Sequence, residues 1–95
     1  MTLRKLDDAE IQERLVGLEG WSVENGKLHR RFEFPDFVHA FGFMSQAALV
    51  AESMNHHPEW FNVYNRVEVD LATHDVGGLS EGDFTLARRM NQLSG

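Results

Sequence analysis

Histidine is the residue type with the most chemistry to offer in this chain. Five occur: His29, His39, His56, His57 and His74. Imidazole, with an ordinary pKa of about 6.5, can give or take a proton near neutrality. Cysteine is absent, so no thiolate nucleophile, disulfide or Cys-ligated zinc is available. The pair His56-His57 precedes Pro58 where the periodicity predicts that a helix ends and a stiffened loop begins, and such loops commonly carry function. Glu52 lies four residues before His56, and that spacing predicts a shared helix face. A carboxylate neighbour and a helix C-terminus both stabilise a charged imidazole, which suits a general acid. Pro58 turns the His57 backbone away from the helix, so the two neighbours are expected to face differently. His74 sits just past the fourth predicted strand, in Ala72-Thr73-His74-Asp75. Strand ends and helix C-termini can meet at one edge of a layered domain, so His74 is expected to face the pair across a cleft. Trp60 and Phe61 are candidates for an apolar wall against a flat ring. His29 and His39 fall on predicted exposed faces and read as solvated.

Three arrangements fit these residues. The first is acid–base catalysis by His56, His57 and His74. The second is a metal site of those histidines with Glu52, against which stand the diverging side chains of adjacent histidines and the absence of HExxH spacing. The third is structural, with the imidazoles capping and hydrogen-bonding. A Gly-rich phosphate loop and a nucleophile elbow are both missing, which argues against phosphoryl-transfer and dinucleotide enzymes.

The elements that must position these residues are legible. At 95 residues the chain is expected to form one domain, 1–95. Nine Lys and Arg against fifteen Asp and Glu leave a net charge of −6, which argues against a phosphate backbone or anionic lipid as partner. The N-terminus has no apolar h-region and no apolar run approaches membrane-spanning length; a cytoplasmic protein is expected. Asp7 and Glu10 form a capping-box pattern, with Leu6 and Ile11 as its staple, opening a helix whose face is Ile11, Leu15 and Leu18. Trp21 and Val23 alternate with polar residues, Asn25-Gly26 signals a tight turn, and Leu28, Phe32 and Phe34 share a strand face interrupted by Arg30. A long helix is predicted over 36–55, with two apolar stripes: Phe37, Phe41, Met44, Ala48, Ala51 and Phe43, Ala47, Val50, Met54. Two stripes, and Gly42 in mid-helix at about 1 kcal/mol relative to Ala, predict self-association through this helix. A second hairpin follows, Val67, Val69 and Leu71 facing inward. Ser80 and Asp83 form a cap pattern for a last helix with Leu86, Ala87, Met90 and Leu93 buried. The order α-β-β-α-β-β-α predicts an α+β fold, a four-stranded antiparallel sheet with three helices packed on one face.

The segment from Glu52 through His56-His57-Pro58 to Trp60, Phe61 and Tyr64, together with Thr73-His74-Asp75, Gly78-Leu79-Ser80 and Asp83, resembles the signature of the pterin-4a-carbinolamine dehydratase family. Ala40-Phe-Gly-Phe-Met44 resembles that family too, and the likeness runs from about Trp21 to the last helix. The resemblance implies the same α+β fold and dehydration of 4a-hydroxytetrahydropterin (the 4a-carbinolamine) to quinonoid dihydropterin, in tetrahydrobiopterin recycling for an aromatic amino-acid hydroxylase. It implies no metal, no bound cofactor, and a homodimer or homotetramer with the long helix at an interface. Carried over, His56, His57 and His74 are catalytic; Asn55, the His pair and Ala72 through Asp75 contact the pterin; Glu52, Pro58, Trp60 and Asp83 support them. Asn55 stands where the family commonly has Asp, and Ala72 where it commonly has Ser. The alternative is a non-enzymatic interaction module, of the dimerisation or transcription-cofactor type, in which the doubled helix face binds a partner.

Overall fold

The computed structural model describes residues 3–95; residues 1 and 2, which the single-domain expectation includes, lie outside the described residues. Along the chain run α1 (Asp8–Leu15), β1 (Ser22–Glu24), β2 (Lys27–Glu33), α2 (Phe37–Met54), β3 (Glu59–Val63), β4 (Arg66–Leu71), a 3-10 turn (His74–Val76) and α3 (Glu81–Ser94). The α1 capping box is complete: the Asp7 carboxylate accepts from Glu10 N–H at 2.8 Å, and Glu10 accepts from Asp7 N–H at 3.0 Å. Asn25 and Gly26 both take positive φ, 54° and 76°, as a two-residue hairpin turn demands, which sets Glu24 opposite Lys27. The two hairpins join through β2 and β4, Leu28 opposite Leu71 and Phe32 opposite Val67. The sheet is antiparallel in the order β1-β2-β4-β3.

One face of that sheet carries the core. Leu28, Phe32, Val67, Val69 and Leu71 are buried against Ala40, Phe43, Ala47 and Ala51 of α2 and Phe84, Leu86, Ala87 and Met90 of α3. Ile11 and Leu15 of α1 pack on its margin, half-buried. Arg30, which breaks the apolar face of β2, closes the core instead of leaving it. Its guanidinium lies 4.2 Å from the Phe32 ring centroid and donates to Glu19 O and Asn91 Oδ1.

Three expectations are corrected. The α2 stripes divide differently: Ala51 is buried and Met44 packs on the core, while Phe37, Val38, Phe41 and Leu49 are exposed. A helix can turn only one side to a sheet, and within this chain a Cβ on Gly42 would meet nothing within 4 Å. Trp60 and Phe61 do not form a joint apolar wall: Trp60 packs on the core, as alternation requires of one of the two, and Phe61 is 59% exposed. His29 is not free in solvent; its Nδ1 lies 2.9 Å from Asp70 Oδ1, directly across the β2–β4 ladder. His39 is exposed and pairs with Asp36, the α2 cap.

Candidate active site

The end of α2 determines where the histidine pair points. Asn55 adopts the left-handed conformation (φ 51°, ψ 43°), and His56 N–H returns to Ala51 O at 3.0 Å, closing the helix. That reversal ends the i, i+4 register on which a Glu52–His56 contact depends. Glu52 meets His57 instead: Glu52 Oε1 and His57 Nε2 stand 2.8 Å apart, both exposed.

His56 turns inward. Its Nε2 lies 2.6 Å from Asp83 Oδ1, in a pair with the carboxylate wholly buried. The other Asp83 oxygen, Oδ2, accepts from Thr73 Oγ1 at 2.8 Å and from Ser80 N–H at 2.9 Å. An ionised carboxylate only accepts, so His56 carries its proton on Nε2 and leaves Nδ1 as the free nitrogen. The single Thr73 hydroxyl proton goes to Asp83; the 2.6 Å contact between Thr73 Oγ1 and Ser80 Oγ is therefore donated by Ser80. Both Asp83 oxygens and the Thr73 and Ser80 hydroxyls all have partners, the condition under which a buried carboxylate is tolerated. The Ser80-x-x-Asp83 cap pattern was the sequence signal for it: an acid at a helix N-terminus, facing free backbone N–H groups.

Strand β4 and the 3-10 turn bring the distant histidine. Thr73 N–H donates to Gly78 O at 2.8 Å, and Gly77 takes φ 67° to bring the chain back. His74 stands outward at the start of the turn, 84% exposed, with Nε2 3.8 Å from Glu59 Oε2. The hydrogen bond from Lys27 Nζ at 2.7 Å holds the Glu59 carboxyl below the usual carboxylate range, so an anion faces this imidazole.

A hollow of about 200 Å³ opens where these pieces meet. His56, His57 and His74 line it, with Asn55 on the helix side and Ala72, Thr73 and Asp75 on the strand side. Leu3 forms part of the wall. Its presence had no local sequence signal, because the N-terminal segment is held by a long-range bond, Leu6 N–H to Leu79 O at 2.8 Å. Thr73 borders the hollow but turns its hydroxyl to Asp83, so its side chain belongs to the buried cluster. Trp60 and Phe61 are not among the lining residues: β3 runs away from the loop, one ring facing the core and the other solvent. Pro58 is half-buried behind His57. Among the described residues, no three His, Asp or Glu side chains gather as a metal site. No helix of the described residues is long and apolar enough to cross a membrane.

Residues 4–93 match the family model for pterin 4 alpha carbinolamine dehydratase. A protein of Solibacter usitatus is 59% identical over 90 residues, 95% of each chain, and one of Brucella ovis is 50% identical over a 97-residue alignment covering both in full. Both are provisionally named pterin-4-alpha-carbinolamine dehydratases. A crystal structure from Brucella melitensis, described as a transcriptional coactivator/pterin dehydratase, superposes with a TM-score of 0.93 at 51% identity, covering 97% of this chain and 100% of that one. A match across nearly the whole chain, at half or more of its residues and with the fold retained, shows that this protein belongs to the pterin 4 alpha carbinolamine dehydratase family.

Proposed function

We propose that this protein is a hydro-lyase that converts 4a-hydroxytetrahydropterin to quinonoid dihydropterin. The C4a hydroxyl leaves as water after taking a proton, N5 gives up its proton, and a C4a–N5 double bond forms. The reaction needs an acid at the hydroxyl and a base at N5, each contributing roughly 10²–10⁴-fold when positioned. The observation that carries the reading is three imidazoles bordering one small hollow, one of them held by a buried carboxylate.

His56 and His74 exchange protons with the substrate from its two sides, and His57, braced by Glu52, orients the ring. Since the Asp83 bond occupies His56 Nε2, Nδ1 is the nitrogen that exchanges. The N–H groups of His74 and Asp75, unpaired at the start of a 3-10 turn, suit the amide edge of the pyrimidine ring, with Asn55 and Ala72 beside it. The scheme needs no metal or bound cofactor. The client reaction is that of an aromatic amino-acid hydroxylase, in the cytoplasm. Copies of the chain associate through α2, whose outer face exposes Phe37, Val38, Phe41 and Leu49. That same face supports the second reading, an interaction module without catalysis. The two part in one experiment. The 4a-hydroxypterin is generated enzymatically and its absorbance decay followed with wild type, His56→Ala and His74→Ala. Acceleration by wild type that both variants lose is expected; no acceleration over the spontaneous rate would favour the module.

A further inference from the structure

Each imidazole of the hollow has a carboxylate behind it. Asp83 Oδ1 lies 2.6 Å from His56 Nε2, Glu52 Oε1 lies 2.8 Å from His57 Nε2, and Glu59 Oε2 lies 3.8 Å from His74 Nε2. In all three the facing nitrogen is Nε2, and none of the three acids is among the residues that line the hollow. We infer that Glu59 is the positioning residue of His74: it holds the Nε2–H side of the ring, so that His74 exchanges its proton with the substrate through Nδ1. This rests on the dehydratase reading above, in which His74 is one of the two exchanging imidazoles.

The sheet builds this carboxylate into place. Glu59 is the first residue of β3 and stands opposite Asp70 of β4, which in turn stands opposite His29 of β2. Two acids directly across a ladder repel, and here each has its own partner. Asp70 Oδ1 is 2.9 Å from His29 Nδ1, while Glu59 Oε1 accepts from Lys27 Nζ at 2.7 Å. Lys27 starts β2 and reaches across β4 to do so. That bond holds the Glu59 carboxyl below the usual carboxylate range and leaves Oε2 for the imidazole.

An ionised carboxylate only accepts, so Glu59 favours the ring that carries its proton on Nε2. A gap of 3.8 Å is longer than a hydrogen bond; across it the attraction orients the ring, and contacts of this kind commonly tighten once substrate is bound. The approach also keeps the two sides of His74 apart. Glu59 comes from the outer face of the sheet, where it borders a different hollow with His29, Glu68 and Asp70. Asp75, the acid next to His74 in the turn, lines the substrate hollow itself and so does not stand behind the ring.

Glu59→Gln keeps the shape of the side chain and removes its charge. In stopped-flow decay of the 4a-hydroxypterin its kcat is expected to fall about two- to fivefold, the range of an exposed ion pair, with little change in KM. The loss is expected to fade as NaCl rises from about 0.01 M to about 1 M, where the screening length drops from about 30 Å to about 3 Å. In ¹⁵N spectra at about pH 9, above the ordinary histidine range, the ratio of Nε2–H to Nδ1–H tautomer at His74 is expected to fall by a similar factor while His56 keeps its own. A role of Glu59 confined to tying Lys27 to the sheet would move Tm and leave the His74 tautomer as it is. Wild-type kcat at low salt, or an unchanged tautomer ratio at His74, would overturn the positioning role and leave the dehydratase reading standing. Failure of wild type to accelerate the decay would overturn that reading, and the role of Glu59 with it.

Discussion

Replacing Asp83 by Asn changes one oxygen to NH₂ with almost no change in volume, and the buried cluster determines which oxygen. At Oδ2 the acid faces two donors, Ser80 N–H at 2.9 Å and the Thr73 hydroxyl at 2.8 Å. The backbone N–H cannot turn away, so the amide oxygen must stay there. The amide NH₂ then faces His56 Nε2, 2.6 Å away in the wild type, and His56 must accept. Its proton moves to Nδ1, and the nitrogen proposed to exchange with substrate no longer offers a lone pair in the neutral ring. The expected loss in kcat is on the order of 10²–10⁴-fold, the range for one positioned acid–base group, with a smaller change in KM. The stability cost is that of one charge-assisted bond weakened to a neutral one, about 1–2 kcal/mol. In a domain of this size each kcal/mol lowers Tm by about 4–8 °C, so the variant remains folded at 25 °C. Stopped-flow decay of the 4a-hydroxypterin gives kcat and KM, and ¹⁵N imidazole shifts report the tautomer. A folded Asp83→Asn protein with wild-type kcat, or with the His56 proton still on Nε2, would refute this reasoning.

Four other outcomes follow from the same structure. His74→Ala, at an 84% exposed position, is expected to leave Tm within about 2–4 °C, a surface-sized effect, while kcat falls about 10²-fold or more; calorimetry beside the decay assay separates the two. Phe84→Ala empties a fully buried site and is expected to cost about 3–5 kcal/mol in urea unfolding. Leu49→Glu places a charge on the exposed apolar face of α2 and is expected to shift sedimentation toward the monomer without lowering monomer helix content. Glu10, whose carboxyl the Arg4 hydrogen bond lowers to about 2, contributes stability that is fully present above its unfolded value near 4.5 and is lost as pH falls through 2. Glu10→Gln is therefore expected to flatten the decline of Tm between pH 4.5 and 2, a window wild type should cross with a measurable slope.

What was legible in the sequence is what local chemistry decides. Asp7 with Glu10, and Asn25-Gly26, act over two to four residues, and each forms the expected cap or turn because no long-range contact competes with it. The inward set Val67, Val69, Leu71 follows from strand alternation. The assignments that changed depend on partners distant in the chain. Two apolar stripes on α2 are visible in sequence, but the sheet chooses which one it covers. Trp60 and Phe61 are equivalent as letters; only the pairing of β3 with β4, Trp60 opposite Val69, sends the indole toward the core. Leu3 reaches the hollow beside the histidines through the Leu6–Leu79 backbone bond, seventy-three residues apart in sequence number.

The exchanged partners of the histidine pair follow from one residue. Had α2 continued by a turn, Glu52 would have faced His56, and both would have remained at the surface with a screened contact worth under about 1 kcal/mol. Asn55 in the left-handed region ends the helix one residue early. It sends His56 into the interior, to a carboxylate that no solvent reaches, and leaves His57 outside with Glu52. Asn is among the few side chains that adopt this conformation at little cost. The result is a division that the proposed chemistry uses: one imidazole held by a buried network, and two exposed at the rim, His57 against Glu52 and His74 near Glu59. An elimination with a base at a defined ring nitrogen demands the first property, and substrate exchange through an open hollow demands the second. Asn55, the C-cap of α2, therefore matters to the proposed site as the imidazoles do, since the turn it makes sends His56 inward and leaves His57 outside.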